Sequence, residues 1–92
     1  MNLIGPLTLS AREHAIRAVL EARFSVGAFE AVQRDSAARW ASPRNEMARG
    51  IYGEAMREKQ RLAQVTDQEL VAEAVAIGFT GLVAPDEDRH GA

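Results

Sequence analysis

Ninety-two residues suffice for one domain and not for two, and an apolar fraction of 47% supports one modest core. The absence of cysteine excludes disulfides, thiolate metal sites and cysteine nucleophiles. The net charge is −2, so no strong overall field selects a nucleic acid or a membrane surface.

The charge is unevenly placed. Residues 1–64 hold ten basic against seven acidic residues, whereas residues 65–92 hold one against six. All but one of the basic residues are Arg, which favours bidentate contact with carboxylate or phosphate. No apolar run approaches the ~18 residues of a membrane span. The start has no basic n-region, and Pro6 interrupts its apolar run, unlike a signal peptide. The expectation is a cytoplasmic protein with no membrane partner. A domain this small gains little from burial, which favours oligomers, so a homodimer is a candidate state.

The chain opens on an apolar arm, Met1 to Leu9, with a turn at Gly5-Pro6. A first helix is expected from Ser10, where Ser10 and Glu13 match a capping box. Its inner stripe is Ala15, Ile16, Val19, Leu20 and Phe24, while Glu13, Arg17 and Glu21 form an exterior charge ladder. After the short connection Phe24 to Gly27, a second helix is expected over Val26 to Ala41. Phe29, Val32, Ser36 and Trp40 share its inner arc, with Trp40 largely buried. Glu30 with Arg34, and Asp35 with Arg39, form exterior pairs.

A third, long central helix is predicted over about 43–63. Ser42 stands as its N-cap and Pro43 at its first position, where a missing N–H costs nothing. At ~100° per residue, Met47, Ala48, Ile51, Tyr52, Ala55, Met56, Leu62 and Ala63 fall on one inner arc. The opposite arc carries Glu46, Arg49, Gly50, Gly53, Arg57, Gln60 and Arg61. A fourth helix starts at the capping box Thr66 to Glu69. It carries Leu70, Val71, Ala74, Val75 and Ile77 inward and stops at Gly78, which suits a left-handed position. Thr80 to Pro85 should pack down. Asp86 to Ala92 has nothing to bury and is expected to be a disordered acidic tail. The fold class is therefore all-α: a compact four-helix domain over 1–85 with a long central helix.

No catalytic constellation is visible, so the chain is not read as an enzyme, and no cofactor is expected. His14 lies on a polar arc. Glu87 and His90 have the Glu-x-x-His spacing of carboxylate-bridged metal sites, but such sites need several converging ligands, and metal is not expected. Ser10, Ser25, Ser36 and Ser42 read as caps or surface residues without a base. Gly50 to Gly53 lies within a helix and lacks the strand that precedes a phosphate loop.

Two features carry functional expectations. A helix glycine costs about 1 kcal/mol relative to Ala, so Gly50 and Gly53 on a polar face suggest close approach of a partner. With Arg49, Arg57, Gln60 and Arg61 they form the candidate partner-binding set of a non-catalytic module, an adaptor or inhibitor of a larger macromolecule. The small size and the lack of motifs fit an accessory protein of a phage or mobile element. The alternative is a dimeric helix-turn-helix DNA-binding regulator. Arg44, Asn45 and Arg49 would then stand near the start of the reading helix, where Arg suits guanine and Asn suits adenine. Against it, Ser42 and Gly50 occupy positions that such motifs fill with apolar residues, and the chain is not basic overall.

Overall fold

The computed structural model describes residues 6–82. Residues 1–5 of the apolar arm and the tail over 86–92 lie outside the described residues, as do Glu87 and His90. The described residues form an all-α fold with a long central helix. Its elements are α1 (Leu9–Phe24), α2 (Val26–Asp35), α3 (Ala37–Trp40), a 3-10 turn (Pro43–Asn45), α4 (Glu46–Leu62) and α5 (Asp67–Ala76). None of these helices is long and apolar enough to cross a membrane. By internal contacts the described residues form two units, residues 6–19 with 65–82, and residues 20–64.

In the first unit, the expected cap of α1 is corrected. The hydroxyl of Thr8, not Ser10, accepts from Ala11 N at 3.0 Å, and Arg12 N reaches Thr8 O at 3.0 Å. Thr8 offers the same chemistry two residues earlier, so Ser10 lies inside the helix. Leu9 also lies inside it and is 74% exposed. The predicted stripe holds, with Ala15, Ile16 and Val19 buried. On α5, Leu70, Val71 and Ala74 are buried; of the segment from Thr80 to Pro85, Leu82 is buried, Thr80 and Gly81 are exposed, and residues 83–85 lie outside the described residues. Both ends of α5 match their sequence signals. Thr66 caps the start, its hydroxyl accepting from Glu69 N at 3.1 Å. Gly78 ends it at φ 88°, with Gly78 N on Val75 O and Phe79 N on Ala74 O, both at 2.9 Å. That double bond around a left-handed residue is the Schellman arrangement.

A polar clamp joins α1 to the start of α5. Asp67 accepts from Leu7 N at 3.1 Å and from Arg12 Nη1 at 2.5 Å. Arg12 Nη2 also donates to Val65 O at 2.8 Å. The Leu7 amide and then the Arg12 guanidinium hold the Asp67 carboxyl below its ordinary pKa.

In the second unit, the expected helix over Val26 to Ala41 is two helices. Ser36 is extended (φ −162°, ψ 109°), and its side chain accepts from Arg39 N at 3.1 Å. Serine competes for backbone amides in this way, so it ends α2 and caps α3. The break gives five α-helices among the described residues instead of four. It also removes the helical spacing of Asp35 and Arg39. At the α1–α2 junction the single residue Ser25 takes a left-handed conformation, φ 55°. It gives no side-chain cap to α2. Glu21 of α1 does so instead, accepting from Gly27 N at 2.8 Å. A Cβ at Gly27 would stand 3.0 Å from that carboxylate oxygen, so the glycine leaves room for it.

Trp40 is partly buried, short of the fully buried core. It meets Phe29 of α2 and Tyr52 of α4, with ring centroids 6.0 and 5.8 Å apart, and Phe29 meets Tyr52 at 6.3 Å. Tilted and edge-on pairs of this kind contribute about 0.5–1.5 kcal/mol each beyond burial.

The turn into α4 is held by side chains of the helix it introduces. Arg49 Nη1 donates to Trp40 O at 2.6 Å and Ser42 O at 2.7 Å. Asn45 Nδ2 donates to Arg39 O at 2.8 Å. Arg39 O and Ser42 O also accept from the amides of Ser42 and Asn45, at 3.1 and 3.0 Å, so the side-chain donors add a second bond to each. Ser42 does not act as a side-chain cap, and its hydroxyl is buried without a hydrogen-bond partner. The reason is local: Asn45 N, an amide that a cap would take, bonds to Ser42 O at 3.0 Å in the 3-10 turn.

Two predictions follow from these contacts. The Asp67 carboxyl titrates lower folded than unfolded, where its ordinary value is 3.8. The unfolded chain therefore takes up its proton first. Asp67's contribution is present above that pH and is lost as pH falls through the folded pKa. Asp67→Asn should lower the thermal midpoint at pH 7 and flatten the acid loss below about pH 4. A midpoint-against-pH series on both proteins measures this, and parallel acid profiles would contradict it. Arg49→Met should cost about 1.5–3 kcal/mol in urea unfolding, because it deletes charged hydrogen bonds to two carbonyls. Unchanged stability would show that the guanidinium is not a structural clamp.

Candidate partner-binding surface

The outward side of α4 is built by the helix period and by what its inner side covers. Ala55 and Leu62 are fully buried, and Ala48, Tyr52 and Met56 are half-buried. Opposite them lie Gly50, Gly53, Arg57, Gln60 and Arg61.

Gly50 is exposed, and a Cβ there would meet nothing within 4 Å. At Gly53 a Cβ would meet only Arg57 Nη1, at 3.9 Å. Neither glycine has a positive φ. The described fold therefore gives no reason for glycine at either position. Arg57 and Gln60 are exposed beside them. Arg61 is exposed too, with its Nε on the Glu58 carboxylate. Glu58 also has Arg23 Nη1 at 3.8 Å.

Arg49 belongs to this set in sequence but not in geometry, since its guanidinium is turned onto Trp40 O and Ser42 O. The candidate base readers divide in the same way. Arg44 is exposed, but the Asn45 amide donates to Arg39 O. Residues 36–45 separate α2 from α4 and include the one-turn α3, whereas a helix-turn-helix joins its helices by a three- or four-residue turn.

The inner arc of α4 needs a correction. Met47 is 80% exposed and Ile51 38%, and Ala63 is exposed as well. The arc is wider than the elements that cover it. Met47 precedes the turns of α4 that carry Tyr52 and Ala55, so its position before the buried residues was the available signal. Among the described residues no three His, Asp or Glu side chains gather to hold a metal. Comparison with models of known protein families, with characterised proteins and with solved structures gives no match.

Proposed function

We propose that this chain is a non-catalytic protein-binding module, an adaptor or inhibitor of a larger partner that docks on the outward face of α4. The observation that supports this reading is the pair of open glycines. Each costs the helix about 1 kcal/mol relative to Ala, yet neither relieves a clash or adopts a left-handed backbone. A partner backbone lying against α4 would supply the missing reason. Arg57 at its edge suits acidic groups on that partner, by direct or bidentate contact, while Arg61 beside it is held on the Glu58 carboxylate. The cysteine-free composition fits a reducing compartment, and this reading places the module in the cytoplasm.

The test separates folding from binding on the same residues. Gly50→Ala and Gly53→Ala should each raise stability by about 0.5–1 kcal/mol, since both sites have room for a methyl group. Gly53→Leu should keep the helix and lose the partner captured from a lysate of the source cells, by steric exclusion. Capture is measured with and without nuclease. Retention of the same protein by Gly53→Leu would remove the glycine face from the account. Nuclease-sensitive capture would redirect it to a nucleic acid.

A further inference from the structure

We infer that α4 also carries a self-association seam, and that its occupant is a second copy of this chain lying antiparallel across it. The seam runs through Met47, Ile51 and Glu54 of α4, with Arg44 before them in the 3-10 turn that leads into the helix. The spacing of Met47, Ile51 and Glu54, four and three residues, is the a/d alternation that keeps one face of a helix toward a neighbouring helix. All four are exposed. Met47 and Ile51 are two of the large apolar side chains that this chain leaves exposed, and they stand one turn apart.

The seam is complementary to itself. Set antiparallel about a two-fold axis level with residue 49, Met47 of one copy faces Ile51 of the other, and Arg44 faces Glu54. The same pairs then recur on the other side of the axis, as an isologous contact requires. Arg44 and Glu54 have no ion pair among the described residues, so each is available to the other copy. Gly50 borders the seam with open space beyond its Cα, which lets the second helix approach closely. In a parallel arrangement the charges would face like charges, which selects against it. Gly53 and Arg57 lie to the other side of Gly50, so one α4 can present the seam and the partner face together.

The seam is short, well below a standard interface, so the association is weak and concentration-dependent. Sedimentation equilibrium of the full chain from ~10 µM to ~1 mM, the range of a weak complex, should show the mass rise from one chain toward two. Arg44→Glu and Glu54→Arg should each weaken the dimer about tenfold or more, by placing like charges opposite one another. The double variant Arg44→Glu/Glu54→Arg should restore it. Met47→Lys should leave a monomer. All four positions are on the surface, so far-ultraviolet circular dichroism should match the wild type. A single-chain mass over the whole range would overturn the inference. So would a dimer that ignores the single charge reversals. Neither result bears on capture of the partner through Gly53, which is read separately.

Discussion

The guanidinium of Arg49 is the constraint on which the second unit depends. It reaches back from the first turns of α4 to the carbonyls of Trp40 and Ser42. Helical side chains lean toward their own N-terminus, so an Arg one turn into a helix is well placed to bind the chain that precedes it. The contact closes the turn between α3 and α4. With the turn closed, Trp40 stands against Tyr52, and Phe29 completes the group of three rings. The direction in which α4 leaves the turn is thus set by polar bonds at its start and by aromatic contact a little further along. Once that direction is set, the side of α4 opposite Ala55 and Leu62 has to face solvent.

This division separates the groups of α4 that build the unit from those proposed to meet a partner. Arg49, Asn45 and Tyr52 are engaged within the unit. Gly50, Gly53, Arg57 and Gln60 are not used to build it. Functional surfaces are commonly recognised by residues that violate a local rule without a compensating gain inside the fold. Two glycines in the middle of a seventeen-residue helix do so. The exposed pair Met47 and Ile51 departs from the rule that apolar stripes are covered, and it does so on a neighbouring strip of the same helix.

Much of the architecture could be read from residues whose local chemistry has little competition. Thr66 and Gly78 bracket α5 because a hydroxyl at an N-cap and a glycine at a left-handed stop have few alternative uses here. Pro43 marks the entry to the central helix for the same reason. The misreadings arose where two residues could do the same job or where covering elements decide. Thr8 and Ser10 both offer a hydroxyl, and the chain uses the earlier one. Ser36 fitted an apolar arc by spacing, but its side chain gains more by capping Arg39 N. Periodicity placed Met47 and Ile51 inward with Ala55, because a helical wheel gives directions and not what lies in them. The candidate site was legible in its glycines and in Arg57, Gln60 and Arg61. Arg49 was read as part of the polar face, because its reach to carbonyls seven and nine residues earlier depends on the shape of the turn.

The central claim is that α4 is held from within by Arg49 and left open outward at its glycines. An alanine scan over Glu46 to Leu62 with two readouts tests it most directly: protease resistance for folding, and retained partner capture for binding. The account predicts that Arg49→Ala loses both readouts. It predicts that substitutions at Arg57 and Gln60 retain protease resistance and weaken capture. Losses of capture that followed losses of protease resistance at every position, with no outward residue separating the two, would contradict it.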